Sequence, residues 1–148
     1  MKYVEINERT GEVTWDAYFD YLRSVRGRLP EAVYSYASEW AHYSLDGANS
    51  LHDAWLISVQ IGFRNAELTL EFMGPRHDRK HVFTYLGVEQ YKFDLNVTCK
   101  QGDRDVLAHE FTVDDRCIVH EIMFSNRKSI VISTTNMLPR TDMLSSSQ

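Results

Sequence analysis

The spacing of apolar residues changes near residue 50, and that change constrains the fold more than any other feature of the chain. Upstream, Trp15, Tyr18, Phe19, Leu22 and Val25 recur at the i, i+3, i+4, i+7 spacing of one helix face. This predicts a helix over 14–26, with Thr14 capping its start, Asp16 in the positive first turn and Gly27 as the stop. Pro30 suits the first turn of a second helix running to about His42. That helix would carry Val33, Tyr34, Tyr36, Ala37, Trp40 and Ala41, with Tyr43 at its end, which predicts burial on two sides. A short strand over 3–6 is expected before both.

After Gly47 the period becomes two. Segments 55–61, 67–73, 81–87, 91–98, 105–113, 117–124 and 129–135 read as strands, rich in β-branched and aromatic residues and separated by turn chemistry. Alternation is cleanest over 91–99, where Phe93, Leu95, Val97 and Cys99 face one way and Lys92, Asp94, Asn96 and Thr98 the other. One dry face and one wet face is the pattern of an antiparallel sheet. The expected fold class is therefore α+β, with two N-terminal helices packed on a largely antiparallel sheet of about six or seven strands. A single domain over 1–138 is expected. Its core should comprise Trp55, Ile57, Val59, Leu68, Leu70, Phe72, Phe93, Leu95, Val97, Phe111, Ile118, Ile122, Phe124, Ile130 and Ile132, with Phe19, Leu22 and Trp40 above. From Pro139 the sequence turns polar and ends in Ser-Ser-Ser-Gln, so 139–148 is expected to be a mobile tail. No internal repeat is visible.

Composition narrows the class. A chain of 148 residues can bury one core of useful size. A net charge of -5 and a pI near 5.6 disfavour nucleic acid and anionic membrane as partners. No stretch reaches the roughly 18 apolar residues of a membrane span, and MKYVEINERTGEV has no apolar signal region. The expected compartment is the cytoplasm, with Cys99 and Cys117 as free thiols. The Asn96-Val97-Thr98 sequon has no secretion signal to give it meaning.

The stretch "AHEFTVDDRCIVHEI" (residues 108–122) holds two His-Glu pairs. Pairing Phe111 with Ile118 and Leu107 with Ile122 sets His109 opposite His120 on the inner face, and leaves Glu110 and Glu121 solvated outside. Two imidazoles at cross-strand distance could share a zinc ion, but such a site needs three or four ligands. His52, Asp53 and Cys99 are the candidates for a third. H-E-x-x-H and C-x-x-C are both absent. The expected reading is a neutral, hydrogen-bonded pair, and no metal or cofactor is assigned.

His52-Asp53 lies in "NSLHDAWLISVQI" and enters a strand rather than a helix, where a side chain can satisfy backbone groups. This short stretch resembles the entry segment of small, uncharacterised bacterial proteins, some of them immunity-like proteins that neutralise toxins. The resemblance implies a binding role and no catalytic residue. An up-and-down meander would also gather loops 74–81, 99–105 and 125–128 at one end. Those loops carry Arg76, Arg79, Lys80, Lys100, Arg104, Arg127 and Lys128 against Asp78, Asp103 and Asp105, with His77 and His81 titratable. Arg76, Arg79, Lys80, Arg127 and Lys128 are thus candidates for an anion-binding rim.

Aromatic residues concentrate before residue 50. Tyr34, Tyr36 and Tyr43 exceed what one packing face requires, and are candidates for contact with a protein partner or a second copy. The chain has no G-x-S-x-G, P-loop, G-x-G-x-x-G or kinase signature, and Asp103-Arg104-Asp105 falls in a turn. These observations favour a non-catalytic protein-binding module, of immunity type or self-associating. The alternative is a small-molecule or metal site, hydrolytic in kind, built from His52, Asp53, His109 and His120.

Overall fold

A computed structural model describes residues 1–95, 100 and 103–145. Among the described residues ten strands form three antiparallel sheets, and the two α-helices are short. Two strands, β1 (Glu5–Ile6) and β2 (Val13–Thr14), make a small hairpin. Helices α1 (Asp16–Ser24) and α2 (Glu31–Ala37) follow. Eight strands come next: β3 (Trp55–Gly62), β4 (Glu67–Met73), β5 (Arg79–Leu86), β6 (Gln90–Asp94), β7 (Val106–Asp114), β8 (Cys117–Phe124), β9 (Ser129–Thr134) and β10 (Asn136–Met143). They build two four-stranded sheets ordered β10-β5-β4-β3 and β6-β9-β8-β7. The expected arrangement, two N-terminal helices on one sheet of six or seven strands, is therefore overturned: the protein is mostly sheet, in two facing layers.

The layers arise by one rule applied twice. The β3-β4-β5 meander sends its fourth strand, β6, across to the other sheet, beside β9. The β7-β8-β9 meander sends β10 back beside β5. The crossings meet at Gly87 and Thr135, where the Thr135 amide donates to the carbonyls of Leu86 and Gly87. Gly87 has φ +63°, and a Cβ there would lie 2.3 Å from Thr135 Oγ1. Glycine is required by both the backbone and the space. At the other edge, Trp55 bridges to Asp105, and the Val106 amide donates to the Ala54 carbonyl, which ties β3 to the start of β7.

Inside, Leu68, Leu70, Phe72, Phe83 and Tyr85 of one sheet meet Ile118, Ile122, Phe124, Ile130 and Ile132 of the other, all buried. The expected core is right for the central strands. It is wrong at the margins: Ile57, Val59 and Trp40 are exposed, and Trp55, Phe93 and Leu95 are only partly buried. A bulge between Leu56 and Ser58 shifts the register of β3, and β3 stands at a sheet edge. Val97 lies outside the described residues, as do Cys99 and the last part of the strand expected over 91–98. The polar segment from Pro139 is not a tail as far as Met143. It is an edge strand in register with β5, from Asn136↔Leu86 to Met143↔Arg79.

The helices are shorter than their periodicity predicts. Thr14 is in β2 and does not cap α1, whose N-cap is Trp15 without a side-chain bond. Gly27 sits in a 3-10 turn, Arg26–Arg28. The second helix stops at Ala37, and a separate 3-10 turn, Trp40–His42, follows Glu39. The α1 helix covers an open sheet edge. The Phe111 amide of β7 donates to Tyr18 Oη at 3.0 Å, and the Val113 amide to Tyr21 Oη at 2.9 Å. A row of unpaired strand amides thereby gains acceptors, each bond contributing about 1 kcal/mol.

Candidate functional site

The His-Glu stretch forms a hairpin closed by a two-residue turn, with Asp114 paired to Cys117 and Asp115 at φ +48°. This register differs by two residues from the one expected. Phe111 faces His120, and His109 faces Ile122. The two histidines remain on one face as diagonal neighbours, with His109 Nδ1 at 3.1 Å from His120 Nε2. The carbonyl of His42 lies 3.5 Å from His109 Nε2 and can only accept, so that nitrogen carries the proton. His109 Nδ1 then accepts from His120 Nε2–H, and His120 Nδ1 accepts from the Tyr85 hydroxyl at 2.7 Å. The proton order runs one way and uses both ring nitrogens of both histidines.

A second ordered chain lies beside it. The Tyr43 hydroxyl donates to the Ala37 carbonyl at 2.7 Å and accepts from Tyr18 at 3.0 Å, while Tyr18 accepts from the Phe111 amide. Tyr43 stacks on His109 at 4.6 Å between centroids, and Phe111 on His120 at 3.9 Å. Burial holds the rings neutral. It lowers His109 to a pKa of about 3, drives His120 well below its usual value, and raises Tyr43 and Tyr85 well above theirs. These are the properties of interior packing groups. A proton shuttle needs a value near the working pH.

Glu110 departs most from expectation. It is buried, not solvated, and its carboxylate accepts three successive backbone amides: Lys2 at 2.6 Å, Tyr3 at 3.0 Å and Val4 at 2.9 Å. Glu121, its cross-strand partner, is partly buried and takes the Met1 ammonium at 3.1 Å. The two carboxylates grip the first residues, a role that alternation along β7 does not reveal.

The remaining candidates are dispersed. His52 bonds the Leu107 carbonyl through Nδ1 at 2.8 Å, with Nε2 at 3.5 Å from Asp53, whose amide bonds the Val106 carbonyl. Among the described residues no group of three His, Cys, Asp or Glu side chains is placed to hold a metal. Cys117 is a free thiol whose pKa the neighbouring Glu89 pushes up, away from nucleophilic use. Loops 74–78, 103–105 and 125–127 do gather at one end. There Trp55 lies 5.1 Å from the Arg104 guanidinium and 4.4 Å from the His77 ring. The five rim residues all have acceptors: Arg79 with Asp78, Lys80 with Glu71, Arg127 with Glu8, Lys128 with Asp94, and Arg76 with the Asp46 carbonyl.

Of the three candidate contact tyrosines, Tyr43 and Tyr36 are interior, Tyr36 against Phe83 and Phe111, and Tyr34 is partly buried beneath the Arg26 guanidinium. An exposed apolar surface lies elsewhere, where β3 and β6 are edge strands among the described residues, beyond the point at which Trp55 and Leu56 of β3 bond to Asp105 and Arg104. Ile61, Phe63, Ala66, Leu68, Val88 and Tyr91 line a cleft of about 170 Å³ there, with Glu67 and Glu89 among its borders. Phe63 is 80% exposed and Tyr91 41%. Val59, 37% exposed, continues the strip along β3, and the Phe93 ring lies tilted against Tyr91 at 5.2 Å between centroids. From Trp55 to Gly62, β3 carries no charge and no proline. Sequence reasoning missed this surface because Val59 and Ile61 alternate as core residues do. The visible signal was Phe63, in the Gly62-Phe63-Arg64-Asn65 turn.

No protein-family model and no curated protein matches the chain. A solved structure of an uncharacterized protein from Neisseria gonorrhoeae is similar to it, with 14% sequence identity and a TM-score of 0.48, covering 63% of this chain and 93% of that one. Among the described residues no helix is long and apolar enough to cross a membrane.

Proposed function

We propose that this chain is a non-catalytic protein-binding module that receives an extended apolar segment of another polypeptide at the cleft beside Phe63, against the Gly62 end of the edge strand β3. The observation that carries the reading is Phe63, a large apolar side chain almost wholly in water beside an apolar cleft and an uncharged edge strand. Natural edge strands are ordinarily blunted by charge, proline or cover, and strand addition uses the ones that are not. Main-chain bonds at the Gly62 end of β3, away from the bridge to Asp105, would supply affinity, and the cleft between Phe63 and Tyr91 would select an apolar anchor.

The partner is a second protein that the module caps, as an immunity-type protein would, or a second copy of the chain. The free thiol of Cys117 suits a reducing compartment, and we place the protein in the cytoplasm. The neutral, fully bonded state of His109 and His120 supports a binding role over a hydrolytic one.

The test is affinity capture at moderate salt, together with light scattering of the purified protein, for the wild type, Phe63→Asp and Tyr91→Asp. A partner or self-complex present in the wild type and lost in both variants supports the proposal. A complex unaffected by either substitution refutes it.

A further inference from the structure

A second, shallow hollow of about 410 Å³ lies beside the start of α1, lined by Val13, Thr14, Trp15, Asp16, Phe19 and Trp40. Three aromatic rings meet there, of which Trp15 is buried and Phe19 partly buried. Trp40 lies 5.4 Å from Trp15 at 82° and 6.0 Å from Phe19 at 60°. Trp40 remains 52% exposed although two aromatic neighbours were available to bury it. The lining holds one charge, the Asp16 carboxylate, and no basic side chain. Asp16 makes no ion pair or side-chain hydrogen bond among the described residues, whereas Asp20, one turn on, is paired with Arg23.

We infer that this hollow binds a quaternary or trimethylated ammonium group. The exposed indole of Trp40, with Phe19 tilted beside it, attracts a cation through the ring quadrupole, and the adjacent Asp16 carboxylate adds net charge complementarity. Methylation decides the class. A bare ammonium is strongly hydrated and loses that hydration on contact with rings, while a trimethylated one presents a diffuse charge on an apolar surface. Asp16 also complements the positive end of α1, a role that asks nothing of Trp40. The exposed indole is the part that helix stability does not explain.

The test is a titration of the full chain with tetramethylammonium chloride, followed by tryptophan fluorescence and by the indole N–H signals in NMR. A neutral isostere, neopentyl alcohol, serves as control. The expected result is a saturable change with the cation only, weakened about fivefold or more in Trp40→Leu and to a lesser degree in Asp16→Asn. Trp40→Leu keeps an apolar side chain at an exposed position, so folding is preserved, and unchanged circular dichroism verifies this. Choline and an N-acetyl trimethyl-lysine amide then distinguish a small free cation from a modified side chain, and tighter binding of either supports the assignment. A linear response, equal binding of neopentyl alcohol, or undiminished affinity in Trp40→Leu overturns it.

Discussion

His109 Nδ1 and His120 Nε2 are 3.1 Å apart, although the ladder pairs His109 with Ile122 and His120 with Phe111. The contact is diagonal, and it closes a chain of protons from Tyr85 to the His42 carbonyl. Two consequences follow, one for acid stability and one for what the sequence could disclose.

Acid should unfold this protein early. His109 is held at a pKa of about 3 and His81 at about 4, and burial lowers His42 and His120 too. In the unfolded chain each titrates near the ordinary value of about 6.5. Between that value and the lowered one the unfolded state binds more protons, so stability is whole above about pH 6.5 and falls as pH drops. Each such histidine contributes a slope of about 1.4 kcal/mol per pH unit. Urea midpoints at pH 7 and pH 5 check this: a clear drop is expected, and it should be shallower in His109→Gln. Equal midpoints would show that these rings are not held neutral.

Glu110→Ala should cost about 3 kcal/mol or more, since three backbone amides lose one charged acceptor in a buried site. Hydrogen exchange locates the damage. The amides of Lys2, Tyr3 and Val4 should lose protection first, ahead of those in β8 and β9. Uniform loss across the domain would mean that Glu110 supports the sandwich as a whole.

The edge of β7 depends on two phenol oxygens. Tyr21→Phe should cost about 1 kcal/mol and expose the Val113 amide to exchange. Tyr18→Phe should cost more, because Tyr18 also donates to Tyr43. Chemical denaturation with amide-resolved exchange reads both.

Gly87→Ala should be severely destabilising, about 2 kcal/mol or more, from a positive φ combined with a clash against Thr135. Gly27→Ala has open space around the new Cβ and should be close to neutral. If the two variants have the same thermal midpoint, the strand crossing is not the tight point described.

Much of the β architecture is legible in the sequence, and specific residues show why the rest is not. The central strands alternate cleanly, so Leu68, Leu70, Phe72, Ile118, Ile122, Ile130 and Ile132 fall where they are expected, in the core. Alternation reports which residues share a face, but not which sheet a strand joins. Hence the swap of β6 and β10 between layers, and with it the two-sheet fold, is invisible. The β10 strand reads as a tail because an edge strand needs few apolar residues, and Met137 alone is deeply buried there. Glu110 reads as solvated because its acceptor role depends on residues more than a hundred positions away. The histidine pair was found on the correct face, but the turn at Asp115-Arg116 moved its register by two. Tyr36 and Tyr43 drew notice for their number, and both prove to be interior, Tyr36 packed on Phe83 and Tyr43 bonded to the Ala37 carbonyl.

Docking of another polypeptide beside Phe63 can be caught in place by a photo-crosslinking amino acid at that position, activated in the native lysate and read by mass spectrometry. The expected result is one dominant adduct, to a single partner or to a second copy of the chain, mapped to an extended apolar segment and abolished by Tyr91→Asp. Adducts scattered over many proteins, or an equal yield from a crosslinker placed on the outer sheet face at Thr84, would show that no polypeptide docks there.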